Sequence, residues 1–183
     1  MEDERQLAMQ AVSSPSALGE LYDRYYDRVY RYAWRHLGRR ADAEDATAAT
    51  FESVLRALPR YRPGGAPFAA WLFAIAARRV ADLQRQRSRV AQLQLVAPGA
   101  PAEPTPPESA AEHQAELAVL HAALGRLRPT DRQVLDLHFF AGLSHAEAAP
   151  LLGCTQAHVA VRLHRALQRL SAAFSQSGGE PLS

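Results

Sequence analysis

The stretch 97–112, APGAPAEPTPPESAAE, constrains the architecture more than any other part of the chain. It carries five prolines and no aromatic residue. Proline has no N–H to donate and fixes its own φ, so such a run neither continues a helix nor joins a sheet. With nothing large to bury, it is expected to be an extended, partly polyproline linker. Regular patterning is lost from about Val90. The chain therefore divides into a unit 1–90, a flexible acidic linker 91–112, a second unit 113–175 and a disordered tail 176–183. Hydrophobic residues make up 48% of the 183, enough for two small cores.

Both units read as helical, so the expected fold class is all-α: two small helical domains joined by a Pro/Ala-rich linker. In the first, Leu18, Leu21, Tyr22, Tyr25, Val29, Tyr32, Ala33 and Leu37 repeat at three and four, over a helix or close helix pair at 15–39. Gly38 is a natural stop. Asp42 has the chemistry of an N-cap for the next helix, which runs to about Leu58, and Asp45 three residues on imitates a capping box.

A third helix is expected from Phe68 to Arg89. Phe68, Leu72, Ile75, Ala76 and Leu83 share one broad face, whereas Arg78, Arg85 and Arg89 fall on another, in line with Trp71. The preceding loop, 59–67, sets Arg60 and Arg62 on either side of Tyr61. Guanidinium groups beside an aromatic ring suit a polyanion that also has bases to stack. Taken alone, an arginine cluster of this kind is more often a solvated helix end after an ordinary turn.

In the second unit, Leu117, Leu120, Ala123, Leu124 and Leu127 mark a helix from about Glu112, which Pro129 breaks. Thr130 is a candidate cap for a helix over 131–141, closed by Gly142. Ser144-His145-Ala146-Glu147 is a capping box opening a short helix to Leu152. Gly153 turns the chain, and Thr155 caps a long final helix through Val159, Leu163, Leu167 and Leu170. Short helix, glycine turn and long helix bearing Arg162, Arg165 and Arg169 is the grammar of a helix-turn-helix. Arg162 could also pair with Glu147 across the turn, and Pro150 interrupts the short helix.

No apolar run approaches membrane-spanning length, and MEDERQLAMQ is too polar for a secretory signal. The single cysteine, Cys154, cannot form an internal disulfide, and no Cys/His spacing resembles a zinc site. A cytoplasmic protein is expected. No nucleophile–base pairing, metal cluster or phosphate-cradling loop is apparent, so neither an enzyme nor a cofactor is expected. Every one of the 21 basic residues is arginine. The two units are mildly basic, with formal net charges of +4 for 1–90 and +1 for 113–183, and the segment between them carries −3.

Several motifs in order resemble the extracytoplasmic-function sigma factors, small two-domain bacterial transcription initiation factors. Leu21-Tyr22…Tyr25, Asp42-Ala43-Glu44-Asp45…Phe51 and Phe68-x-x-Trp71-Leu72-x-x-Ile75-Ala76 resemble that family's second conserved region. Leu124-x-x-Leu127, Arg132-x-Val134-Leu135-x-Leu137, Gly142-Leu143-Ser144-x-x-Glu147, Leu152-Gly153 and Val161-Arg162-Leu163-His164-Arg165-Ala166 resemble the fourth.

The resemblance implies partners and roles. Asp42, Glu44, Asp45, Ala48 and Phe51 would dock on the β′ clamp helices of core RNA polymerase, whose β flap is a further expected contact. Arg60, Tyr61, Arg62, Phe68, Trp71, Arg78, Arg79 and Arg85 would engage the −10 element, with one base captured from the non-template strand. In the −35 major groove, His164 and Arg165, near Ala160, Val161 and Arg162, would face bases, while Thr155, Gln156 and His158 lie near phosphates. An anti-sigma factor is a further possible partner. The chain departs from the family at Ala48 and Ala49, where glutamine and glutamate are common, and at Ala77 and Arg78, where Arg-Asn is common. Two rival readings are a stand-alone helix-turn-helix regulator and a degenerate sigma-like decoy for an anti-sigma factor.

Overall fold

A computed structural model describes residues 2–62, 64–94 and 122–176, with side chains for 3–62, 64–89 and 122–176. Among the described residues the chain is helix and turn, with no strand. The expected all-α class holds. Most of the proposed linker and the tail from 177 lie outside the described residues, as do Leu117 and Leu120.

The N-terminal part is four helices: α1 (Glu2–Gln10), α2 (Pro15–Leu37), α3 (Arg40–Ala57) and α4 (Phe68–Gln94), with a 3-10 turn at Leu58–Arg60. The long segment 15–37 is one helix, not two. Ser14 accepts a bond from the Ala17 N–H and Pro15 occupies the first turn, where its missing N–H costs nothing. At the other end Gly38 adopts φ 69°, which lets its N–H reach the Trp34 carbonyl at 2.9 Å. Tyr25, Val29, Tyr32 and Ala33 of α2 pack with Phe68, Leu72, Phe73 and Ala76 of α4 in the buried core.

Two local readings are corrected by α3 and α1. Asp42 is not the N-cap of α3. Arg39 holds that position without a side-chain bond, and Asp42 lies inside the first turn, ion-paired with Arg87 of α4. A carboxylate there still favours the positive end of the helix dipole. Buried Thr47, Thr50 and Ser53 each donate to the carbonyl four residues back at 2.6–2.7 Å, which is how α3 keeps hydroxyls inside an apolar bundle. The α1 helix was not anticipated. It buries Leu7 and Ala8 against the bundle, too few apolar positions to stand out in MEDERQLAMQ.

The C-terminal part opens with a helical stretch at 122–126, followed by α5 (Pro129–Leu135), a π-helical turn (Asp136–Phe140), α6 (His145–Leu151) and α7 (Gln156–Gln176). Thr130 is not a cap, because α5 begins one residue earlier with Pro129 in its first turn and Arg128 as N-cap. The π turn closes through Ala141 N–H to Asp136 O at 3.0 Å, and Gly142 ends it with φ 63°. The Ser144–Glu147 capping box is present in full, and Thr155 accepts from the His158 N–H as the cap of α7. Pro150 sits exposed inside α6, where the helix ends within one further residue. Val134, Leu143, Ala148, Val159, Leu163 and Ala166 form the core of this part. That core is continuous with the N-terminal one, and α2 and α4 both touch the C-terminal helices.

Candidate nucleic-acid and polymerase interfaces

The loop before α4 is built on its own aromatic floor. The Tyr61 ring meets Phe68 edge-on, with centroids 5.5 Å apart at 90°, and lies 5.1 Å from Trp71. Its hydroxyl donates weakly to Ala66 O at 3.4 Å, and burial raises its phenol above the ordinary value. Tyr61 and Phe68 are 9% and 2% exposed, so neither offers a free face to a base. They hold the loop in shape. Trp71 is half-buried, while Arg60 and Arg62 stand exposed on either side of the ring.

Along α4 the basic stripe is thinner than its residue count. Arg78 and Arg89 are exposed. Arg79 is half-buried, donating to Ser53 Oγ at 3.0 Å and lying 3.5 Å from Asp82. Asp82 also pairs with Arg85. Residues 79, 82 and 85 are spaced at i, i+3, so this neutralising carboxylate was available to sequence reasoning and was missed.

The α3 candidates separate in the same way. Asp45 and Ala48 are exposed, and exposed Glu44 accepts from Arg40 Nε at 2.8 Å. Asp42 is half-buried against Arg87. Phe51 is 9% exposed, beneath Tyr22 at a centroid distance of 4.7 Å. Beside it an apolar groove of about 350 Å³ runs between α2 and α3, lined by Leu18, Tyr22, Ala48, Phe51, Leu55 and Leu72. Tyr22 and Leu55 are 43% and 49% exposed at this groove. Neither stands among the docking residues expected from the sequence, since each also satisfies a core spacing.

On α7, Gln156, His158, Val161, His164 and Arg165 are exposed and Ala160 is half-buried. Val161, His164, Arg165 and Gln168 lie on one side of the helix, as a groove-reading face requires. Thr155 is spent in part on its cap. Arg162 turns back instead of outward: it approaches Thr130 O at 3.4 Å and Cys154 Sγ at 3.9 Å, and it does not pair with Glu147. Glu147 accepts from the Ser144 N–H at 2.7 Å. Arg169 is engaged by Asp131. Among the described residues, Arg162 and Arg169 of α7 are engaged by protein groups, whereas Arg165 is exposed to solvent.

Residues 21–90 match the family model of Sigma-70 region 2, and residues 117–170 that of Sigma-70, region 4. The chain is 35% identical over 158 residues to the ECF RNA polymerase sigma factor BldN of Streptomyces coelicolor, covering 85% of this chain and 59% of that one. It likewise spans 59% of the length of SigE of Mycolicibacterium smegmatis. With the sigma factor ShbA of Streptomyces griseus it shares 34% identity, over 87% of this chain and 88% of the relative. The solved structure of CnrH in complex with the cytosolic domain of CnrY superposes with a TM-score of 0.67 at 30% identity, covering 94% and 97% of the two chains. No described helix is long and apolar enough to cross a membrane. On these matches, with both regions in order in one helical chain, the protein belongs to the ECF RNA polymerase sigma factors.

Proposed function

We propose that the chain binds core RNA polymerase, directs it to a restricted promoter set and helps open the DNA. The observation that carries this reading is the pairing, in one chain, of two different polyanion-facing surfaces. One is an aromatic-floored loop with Arg60 and Arg62 leading into α4, suited to single-stranded bases and backbone. The other is the exposed His164–Arg165 face of a capped helix-turn-helix, suited to a duplex major groove. A regulator that reads only duplex has no use for the first surface.

In this reading the domains are 1–90 for polymerase docking and the −10 element, and 113–175 for the −35 element. The acids Glu44 and Asp45 and the apolar groove at Tyr22 and Leu55 form the polymerase face. The protein works in the cytoplasm, is not an enzyme, and is subject to an anti-sigma partner, since CnrH is seen with CnrY. Co-elution of the purified chain with bacterial core polymerase, followed by binding of fork-junction promoter DNA, tests the proposal. Stable duplex binding by the chain without polymerase would favour the stand-alone regulator, and failure to co-elute would favour the decoy.

A further inference from the structure

Along the outer side of α2, Tyr22, Tyr26, Tyr30 and Trp34 follow one another at i, i+4. Their rings form a continuous ladder, with successive centroids 5.2, 6.4 and 6.1 Å apart, and Tyr26 and Tyr30 stack within 7° of parallel. Aromatic rings carry large apolar areas and are usually covered by a neighbour. Here Tyr26 and Tyr30 are half-buried, and Tyr22 and Trp34 at the two ends are each 43% exposed. At 100° per residue the row lies on the side of α2 away from Arg28 and Arg35, which face the C-terminal helices. Its Tyr22 end opens on the apolar groove already assigned to polymerase. The proposed function gives the Tyr30–Trp34 end nothing to do.

The sequence supplies an occupant of matching shape. In the segment that follows α4, Pro98, Pro101, Pro104 and Pro107 recur at every third residue. A polyproline II helix has three residues per turn, so this spacing sets all four rings on one edge. Aromatic-lined grooves take such an edge, because the peptide is already extended and loses little entropy on docking. From Tyr26 to Trp34, α2 rises about 12 Å, the length of about four residues of polyproline II. Two prolines three apart fit that span.

Charge selects the Trp34 end. Residues 95–112 carry Glu103, Glu108 and Glu112 and no basic residue. Arg31 stands one turn before Trp34, and Arg39 and Arg40 follow just past Gly38; all three are exposed, Arg40 with its Nε on Glu44. Acidic Asp23 and Asp27 lie further back, beside Tyr22 and Tyr26.

The tether is long enough. Gln84 Nε2 donates to His36 O at 3.0 Å and Arg87 Nη1 to Leu37 O at 2.9 Å, which brings α4 past the C-terminal end of α2. The helix runs on to Gln94, about 10 Å further. Residues 95–101 then reach about 24 Å at about 3.4 Å each, roughly twice the width of a helix.

We propose that the Tyr26–Tyr30–Trp34 face of α2, edged by Arg31, Arg39 and Arg40, is a docking site for the proline-rich segment 98–107 of the same chain. Pro101 and Pro104 lie on the rings and Glu103 turns to the arginines. The contact is weak and local. Its two sides meet at an effective concentration in the millimolar range, so an affinity of about 1 mM keeps the site about half filled. Docking fixes the path of the chain as it leaves α4 and leaves residues 108–121 as the remaining connection to the second unit. The site does not depend on the sigma-factor reading, and its test involves neither polymerase nor DNA.

That test is fluorine NMR of the full chain labelled with 5-fluorotryptophan. Trp34 and Trp71 are its two tryptophans, so Trp71 serves as an internal control, and Trp34→Phe assigns the signals. The parent is compared with a variant carrying Pro98→Ser, Pro101→Ser, Pro104→Ser and Pro107→Ser, all between the two helical units in sequence. In the variant the Trp34 signal should shift, and its broadening by a soluble gadolinium chelate should rise about twofold as a half-filled site empties. The Trp71 signal should not move. A synthetic peptide of residues 96–109, added to the variant at several times about 1 mM, should return the Trp34 signal to its parent position. Glu103→Arg with Glu108→Arg should shift Trp34 in the same direction by less. Equal Trp34 accessibility in the parent and the proline variant overturns the docking site. Protection that grows with protein concentration would make a second copy the occupant and overturns it as well. A shift of both tryptophans would mean that the prolines act on the fold as a whole, which also contradicts the proposal.

Discussion

Arg169 Nη1 lies 2.8 and 2.7 Å from the two carboxylate oxygens of Asp131, tying α7 to the first turn of α5. The partners are unequal: the Asp131 side chain is 8% exposed and that of Arg169 is 46%. Removing the arginine strands a buried carboxylate, whereas neutralising the carboxylate leaves a guanidinium that can turn to water. Arg169→Met is therefore expected to destabilise the protein by about 1–3 kcal/mol, and Asp131→Asn by less. Urea unfolding of both variants checks this, and the reverse order would contradict it.

The Tyr61 ring supports the loop before α4, while its hydroxyl does little. Truncating a buried aromatic costs about 3–5 kcal/mol, so Tyr61→Ala should be strongly destabilising. Tyr61→Phe should fall within about 0.5 kcal/mol of the parent, because the Ala66 bond is long at 3.4 Å. Single-stranded −10 DNA binding should follow the same order. Loss of binding in Tyr61→Phe with stability intact would make the hydroxyl a DNA contact.

Sequence reasoning succeeded where the signal is local. The Ser144–Glu147 box, the Thr155 cap and the Gly38 stop are each carried by residues within a few positions of one another. It failed where two local signals compete. Asp42 looks like a cap beside Arg39, and Thr130 looks like one beside Pro129, because polar residues suit the first turn as well as the cap. Phe68 and Tyr61 satisfied both a base-stacking pattern and a core pattern, and burial decides for the core. The contact from Arg28 of α2 to the Ala141 and Gly142 carbonyls stayed unread because Arg28 and its acceptors are more than a hundred residues apart. No periodicity links an arginine on one helix to the carbonyls just past the end of a distant helical turn.

Arg165 is exposed on the outward face of α7. Arg165→Ala is expected to cost about 1–3 kcal/mol in binding a −35 duplex, or roughly tenfold to a hundredfold in affinity. Single-stranded −10 binding should be unaffected, since that surface is on α4. Fluorescence anisotropy with the two DNA forms separates the effects, and equal loss of both would contradict the division of labour.

Tyr32 lines the cavity between α2 and α5, facing Arg35, His36, Arg132 and Asp136. Burial, and then the nearby Asp136 carboxylate, pushes its phenol up to about 12. Unfolded tyrosine titrates near about 10, so the unfolded chain loses this proton first. The associated stability is fully present below about pH 10 and is lost as pH rises toward about 12, to the extent of at most about 3 kcal/mol. Tyr32→Phe should therefore lose less stability than the parent between pH values of about 9 and 11.5, measured by denaturant titration. Parallel losses would place Tyr32 in contact with water.

The most direct measurement is reconstituted transcription. The purified chain is combined with bacterial core polymerase on a library of genomic fragments, and start sites are mapped. The account predicts discrete starts, each preceded by two shared motifs at a fixed spacing, and weakened by Arg165→Ala. No initiation by a folded chain, with core polymerase active beside a known sigma factor, would contradict it.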